Sequence, residues 1–234
     1  FLLRPMRDYP AYLRIQVTGD SFSGGLYATA GNSYRELLLP RLQGVNSLNA
    51  ATLWQSYAIT GGRMADQALV PSIAFPECDL LIVALGQNDL PRTADQLLAD
   101  TRTCFNYIAG TRKCAVIVVA IPFQPGWWGQ VTGTKALAFN AILKYEAEVR
   151  GFKWAGRWQE ALTPAGQSAS GDVAAASASA ADGYHPNNTG HLQLLNALWR
   201  DIEPMVKQAL RRPASAAHNY VASPRAAASG RVAA

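Results

Sequence analysis

Two kinds of hydrophobic pattern alternate along this chain. Apolar, β-branched runs predict strands over residues 12–18, 79–85 and 114–121, with a shorter strand over 152–158. The stretch 47–59 is expected to contain another strand, and 53–59 is its better half. Apolar residues at helical spacing predict helices over 28–42, 93–109 and 134–150, and a last helix that starts at Asn187 or Asn188 and extends to about Leu210. Proline is expected to disturb two of these helices, at Pro40 and before Pro204.

The order of these elements predicts the fold class. Strands and helices alternate along most of the chain, which is typical of an α/β protein whose parallel sheet is covered by helices on both faces. We therefore expect one α/β domain over residues 12–212, preceded by a lead-in segment over 1–11. Residues 159–181 are rich in Ala, Ser and Gly and predict an irregular excursion before the last helix.

Composition places the chain among globular proteins and locates its charge. Hydrophobic residues make up 49% and charged residues 16% of the 234 residues, and no apolar stretch reaches the ~18 residues of a membrane helix. The net charge of +5 comes mostly from residues 211–234, which carry four arginines and no carboxylate and leave 17 basic and 16 acidic residues elsewhere. The balanced body argues against nucleic-acid binding, and residues 213–234 are expected to be a disordered basic tail.

Cysteine content and the first residue add two smaller expectations. Cys78, Cys104 and Cys114 lack metal-type spacing, and they are either buried thiols or include a Cys104–Cys114 bridge. Because the first residue is Phe1, we expect a processed or trimmed chain.

Residues suited to catalysis follow the predicted strands or precede the last helix. Ser21 lies in Gly19-Asp-Ser after the first strand, Gly61-Gly62 after the second, and Asn88 in Gly86-Gln-Asn-Asp89 after the third. Asp182 and His185 precede the last helix. Because the carboxyl ends of parallel strands share one sheet edge, these residues are expected to lie close together.

This set contains the groups that nucleophilic catalysis requires. A serine hydroxyl needs a base, and His185 is the best placed of the three histidines, since His218 is in the tail and His191 is within the last helix. Asp182 can orient the His185 ring and stabilise the imidazolium. The N–H of Ser21, the N–H at the Gly61–Gly62 turn and the Asn88 amide are candidate donors to a developing oxyanion.

Four short sequence blocks of this chain resemble, in order, the four sequence blocks of the GDSL or SGNH hydrolases. They are Gly19-Asp-Ser21, Gly62, Gly86-Gln-Asn-Asp89 and Asp182-Gly-Tyr-His-Pro186, although Phe22 stands where the name-giving leucine is usual. The resemblance implies a flavodoxin-like three-layer α/β/α sandwich with a central parallel sheet. It also implies Ser21 as nucleophile, His185 as base and Asp182 as its orienter, with Gly62 and Asn88 completing the oxyanion hole.

The expected activity is hydrolysis of a carboxylic ester through an acyl-enzyme, with no metal or cofactor. A short-chain or carbohydrate O-acetyl esterase is favoured, because Gly62-Arg63 resembles a Gly-Arg pair in some carbohydrate-acetyl esterases of the family. Trp127 and Trp128 can then stack on a glycan, or they can be half-buried loop residues. The alternatives are a lipase or thioesterase for longer chains, an acyltransferase, and a non-catalytic binding module. The acyl group, the alcohol, the oligomeric state and the compartment stay open.

Overall fold

A parallel sheet with helices on both faces forms the body of the protein. The computed structural model describes residues 12–45, 51–67, 78–111, 114–122, 133–162 and 185–210. Within these residues the elements are β1 (Tyr12–Gly19), α1 (Ser21–Gly24), α2 (Tyr34–Val45), β2 (Ala51–Ala58), α3 (Met64–Gln67), β3 (Leu80–Ala84), α4 (Ala94–Thr111), β4 (Ala115–Val119), α5 (Gly133–Glu148), β5 (Lys153–Ala155) and α6 (Asn188–Leu210).

The strand order is β2-β1-β3-β4-β5, and the four strand pairs are all parallel. This is the flavodoxin-like order, in which the chain reverses its direction of travel across the sheet between β1 and β3. Gly19 at the end of β1 pairs with Ala58 of β2 and Ala84 of β3. The expected three-layer α/β/α sandwich is confirmed, and in sheets of this order ligands commonly bind at the edge where these three strands end.

Side chains of β3 alternate between two cores, one on each face of the sheet. Ile82 packs in the core that also holds side chains of α2 and α6. Leu81 and Val83 point the other way, into the core shared with α4 and α5. All five residues of β3 are buried, as the unbroken apolar run over 79–85 predicted.

Helix α2 starts six residues later than the predicted helix over 28–42. Ser33 and Glu36 form a capping box: the Ser33 N–H donates to Glu36 Oε2 at 3.1 Å, and the Glu36 N–H faces Ser33 Oγ at 3.4 Å. Pro40 lies inside the helix, which continues to Val45. The helix therefore begins where its free N–H groups find acceptors.

The last strand and the last helix also differ from expectation. Strand β5 has three residues, and residues 156–160 form a 3₁₀ helix in which buried Trp158 donates its indole N–H to the Leu194 carbonyl oxygen at 2.6 Å. Helix α6 continues through Pro204, because its apolar face, including Ile202 and Val206, packs in the core on both sides of the proline.

Three further expectations concern the cysteines, membrane segments and the ends of the chain. Cys104 is a buried free thiol, so the Cys104–Cys114 bridge is not formed, and burial raises the pKa of Cys104 to about 12. None of the helices in the described ranges is long and apolar enough to cross a membrane. The lead-in over 1–11 and the tail over 213–234 lie outside the described residues.

Candidate active site

Ser21 is the first residue of the short helix α1, directly beyond the carboxyl end of β1. Asp20 caps this helix, since its Oδ1 accepts the Phe22 N–H at 3.0 Å, and Gly25 ends it with a φ of 74°. Ser21 is buried, with 4% of its surface exposed. The Ser21 N–H has no acceptor among the described residues, so it is available to a substrate oxygen.

The close approach of α1 to the sheet explains why a glycine precedes the Asp-Ser pair. A Cβ on Gly19 would overlap the side chain of Ser23 and lie 3.0 Å from the Ala84 carbonyl oxygen. Ser23 is itself fixed, because its Oγ and the buried Tyr34 hydroxyl are 2.5 Å apart. Packing thus requires the glycine that holds Ser21 at the edge of the sheet.

His185 lies against Ser21. Its Nε2 is 3.0 Å from Ser21 Oγ, which is hydrogen-bond distance, and 7% of the residue is exposed. The His185 ring is close to two aromatic rings, with its centroid 5.7 Å from that of Phe22 and 5.4 Å from that of Tyr27. The structure therefore brings together two residues that are 164 positions apart in the sequence.

The segment that follows His185 is attached to the segment that follows Ser21. Asn187 caps α6, because its Oδ1 accepts the Gly190 N–H at 3.1 Å. Asn188 instead bonds Thr29 twice: its Oδ1 accepts the Thr29 N–H at 3.0 Å, and its Nδ2 donates to Thr29 Oγ1 at 2.9 Å. These contacts keep the start of α6 beside the Ser21 loop.

His191 is a packing residue, as its place within the predicted helix suggested. It is fully buried, stacks on Tyr34 at a centroid distance of 6.2 Å, and its Nδ1 accepts the Tyr34 N–H at 3.3 Å. Its Nε2 has no well-aligned partner among the described residues, although the Leu26 backbone is close enough to act on it. Burial lowers the pKa of His191 to about 4, so its ring is neutral at physiological pH.

Asn88 and the Gly61–Gly62 turn are joined to each other. Asn88 Nδ2 donates one proton to the Gly62 carbonyl oxygen at 3.1 Å, which leaves the second amide proton for another acceptor. The Gly62 N–H donates to the Ile59 carbonyl oxygen at 2.8 Å, in a turn that Gly61 makes possible with a φ of 75°. The Gly62 N–H, which was the preferred glycine donor, is therefore already engaged within the turn.

Two buried carboxyl groups, Asp20 and Asp89, are the chain neighbours of Ser21 and Asn88, and no role was predicted for either from the sequence. Desolvation raises the pKa of Asp20 to about 7, with a smaller contribution from the negative charge of Asp89. Desolvation also raises the pKa of Asp89, whose Oδ2 accepts the Met64 N–H at 3.0 Å while its Oδ1 has no partner in the described part of the chain. The signal was present in the sequence, since each acid belongs to a polar block at a strand end.

Three of the predicted site residues lie outside the described residues. They are Asp182, Trp127 and Trp128. The described residues contain no group of three His, Cys, Asp or Glu side chains placed to hold a metal ion. Ser21, His185, Gly62 and Asn88 are therefore the sequence-based candidates that have a defined position.

Comparison with solved structures agrees with this architecture. TesA is 20% identical with a TM-score of 0.66, over 82% of this chain and 99% of TesA. A variant of Axe2, an acetyl xylan esterase from Geobacillus stearothermophilus, is 19% identical with a TM-score of 0.63, over 81% of this chain and 94% of that one. The lipase/acylhydrolase from Enterococcus faecalis is 16% identical with a TM-score of 0.61, over 82% and 96%.

These likenesses define the class of fold. The protein has the fold of the SGNH hydrolases, as the four sequence blocks implied. No protein-family model matches the sequence, and no curated protein matches it either. At these low identities the fold is the shared property, and activity has to be argued from the site itself.

Proposed function

We propose that this protein is a serine ester hydrolase that acts through an acyl-enzyme, with Ser21 as its nucleophile and His185 as its general base. The observation that carries the proposal is the 3.0 Å separation of His185 Nε2 and Ser21 Oγ at the carboxyl edge of a parallel sheet. A neutral imidazole at that distance can take the hydroxyl proton as the serine attacks a carbonyl carbon.

The reaction then proceeds in two halves. Ser21 Oγ forms a bond to the acyl carbon, its proton moves to His185 Nε2, and the carbonyl oxygen becomes an oxyanion. The tetrahedral intermediate expels the alcohol, which takes that proton from His185. Water repeats the sequence on the acyl-enzyme and releases the acid. The hydroxyl, the imidazole and fixed donors suffice for both halves, so the mechanism needs no metal or cofactor.

The oxyanion is stabilised by donors on the three loops that follow β1, β2 and β3. The free N–H of Ser21 and the second amide proton of Asn88 are the two best supported by the contacts described above. The third donor comes from the glycine turn. The Gly62 N–H can donate to the oxyanion only by sharing or giving up its bond to the Ile59 carbonyl oxygen, whereas Gly61 is exposed. We therefore assign the third donor to the Gly61–Gly62 turn without choosing between its two N–H groups.

Asp182 is proposed to orient His185. Its place three residues before His185 allows a bond to the imidazole Nδ1–H. A catalytic mutant of the Geobacillus acetylxylan esterase replaces an aspartate with alanine, which supports a catalytic aspartate in proteins of this fold.

A short acyl group, with a carbohydrate O-acetyl ester as the first candidate, is the proposed substrate. The Gly62-Arg63 pair and the acetyl xylan esterase among the structural neighbours support it. The lipase/acylhydrolase neighbour supports longer acyl chains as the second candidate. Trp127 and Trp128 are kept as proposed substrate contacts on sequence grounds alone.

A panel of p-nitrophenyl esters from acetate to palmitate, run beside acetylated xylan, tests the proposal. We expect turnover that falls as the acyl chain lengthens, release of acetate from xylan, and loss of both in Ser21→Ala. A maximum at long chains would favour a lipase. Acyl transfer to added alcohols in preference to water would favour a transferase. A folded protein that cleaves no ester would be a binding module.

A further inference from the structure

Tyr27 combines three features that are rarely found in one residue. It is the only non-glycine residue in the described ranges with a positive φ, at 64°. This left-handed conformation is unfavourable for a bulky side chain. Tyr27 is also 55% exposed, yet its ring centroid is 5.4 Å from that of His185. The backbone therefore holds a large aromatic ring at the surface, next to the proposed general base.

The loop around Tyr27 is anchored on both sides, so the conformation is enforced by its surroundings. On one side, the Ala28 N–H donates to the Gly25 carbonyl oxygen at 3.0 Å. On the other side, Thr29 makes its two bonds to Asn188 at the start of α6. A strained conformation persists where neighbouring contacts determine it, and such residues concentrate at functional sites.

The position of Tyr27 relative to the reaction limits what it can contact. In the proposed mechanism His185 Nε2 gives its proton to the departing alcohol, which must lie within hydrogen-bond distance of that nitrogen. The alcohol portion of the ester therefore lies beside His185 and the rings packed on it. Of those two rings, Phe22 is 2% exposed and Tyr27 is 55% exposed, so Tyr27 is the one that a substrate can cover.

Two other residues with exposed apolar side chains are bonded through their backbones to the segment that carries Ser21. Leu26 is 37% exposed, and its N–H donates to the Ser21 carbonyl oxygen at 3.1 Å. Ile59 is 43% exposed, and its N–H donates to the Gly19 carbonyl oxygen at 3.1 Å. Leu26 and Ile59 are thus bonded through their backbones to the two residues that flank Asp20, next to the proposed nucleophile. Exposed apolar side chains carried by such segments are available to a substrate.

We propose that Tyr27 is a specificity-determining residue that stacks on the ring of the substrate's alcohol portion. The flat face of the tyrosine suits a sugar ring or an aryl ring and offers little to a short open-chain alcohol. The protein is thus a hydrolase for esters of ring-bearing alcohols. This inference rests on the proposed function and names the alcohol side of its substrate.

The test compares esters that share one acyl group and differ in the alcohol. Acetates of p-nitrophenol, of a xylo-oligosaccharide and of ethanol are hydrolysed by wild type, Tyr27→Phe and Tyr27→Gly. Glycine also relieves the positive φ, and phenylalanine keeps the ring. Tyr145→Ala, which removes another exposed tyrosine (61%) from α5, is the matched control.

We expect Tyr27→Gly to lower kcat/KM for the two ring esters by about 3- to 10-fold, mainly through KM, and to affect ethyl acetate much less. Tyr27→Phe should resemble wild type on all three esters. An equal loss on all three would mean that Tyr27 acts only through His185, and it would overturn the inference, as would no loss at all. If wild type hydrolyses none of the acetates or the longer esters, the proposed function itself fails.

Discussion

Replacing Asn88 with alanine removes one hydrogen bond of the folded protein and one proposed donor to the oxyanion. The Asn88 amide donates one proton to the Gly62 carbonyl oxygen at 3.1 Å, in a partly buried position. Its other proton is the proposed donor to the oxyanion. The bond to Gly62 is present in the folded protein without substrate, whereas the proposed bond to the oxyanion forms only when charge develops on the substrate.

The two contributions have different expected sizes. Losing the bond to Gly62 should lower the free energy of unfolding by about 0.5–1.5 kcal/mol, which is a fall of a few degrees in Tm for a chain of this length. Losing an oxyanion donor should lower kcat by ~10²–10³, or about 2.7–4 kcal/mol, with KM within a few-fold of wild type. The loss in catalysis should therefore exceed the loss in stability.

The assay measures kcat and KM on p-nitrophenyl acetate together with thermal unfolding. Asn106→Ala is the matched control, because Asn106 lies on α4 and makes one side-chain bond, accepting from Arg150 Nε at 2.9 Å. It should lower Tm slightly and leave kcat unchanged. Asn88→Asp, which puts a negative charge where the oxyanion forms, should lower kcat at least as much as alanine does. If Asn88→Ala loses stability but keeps kcat within a few-fold, Asn88 only shapes its turn.

Three further predictions concern the buried acid, the packed glycine and the tail. Burial raises the pKa of Asp20 to about 7 from 3.8, so ionisation of this carboxyl should destabilise the folded protein as pH rises between these values. The Asp20→Asn variant, whose side chain is always neutral, should not show this loss. A Tm difference between wild type and Asp20→Asn that is constant from pH 4 to pH 8 would contradict the raised pKa. Gly19→Ala should lower the free energy of unfolding, measured in urea, by about 3 kcal/mol or more, because the added Cβ overlaps Ser23. Gly110→Ala on α4 should be neutral or stabilising, because its added Cβ meets open space. A chain ending at Arg212 should keep the Tm and the rate of ester hydrolysis of the full chain, because residues 213–234 have no apolar periodicity. A large fall in either quantity would show that the tail docks on the body.

The fold, and the positions of Ser21 and Asn88 at the sheet edge, were predictable because both depend on patterns that sequence displays. Buried strands of a parallel sheet have continuous apolar runs, and parallel strands end at one edge, so Ser21 and Asn88 could be placed there without coordinates. The start of α2 is also marked in the sequence, because the Ser33–Glu36 capping box lies there, whereas apolar spacing alone places the start too early.

Other features of the site have no local signature. The positive φ of Tyr27 is imposed by contacts to a segment far away in sequence, since Thr29 and Asn188 are 159 positions apart. The engagement of the Gly62 N–H by Ile59 depends on the geometry of one turn, which the glycine pair permits without specifying. Such contacts arise from tertiary packing, and a single sequence does not encode them in a readable pattern.

Covalent labelling decides whether Ser21 forms the acyl-enzyme. The native protein is treated with a fluorophosphonate and digested, and the modified peptide is identified by mass spectrometry. We expect one phosphonylated residue, Ser21, with label and ester turnover lost together in Ser21→Ala and labelling slowed in His185→Ala. Label on another residue, or undiminished turnover by Ser21→Ala, would show that Ser21 is not the nucleophile.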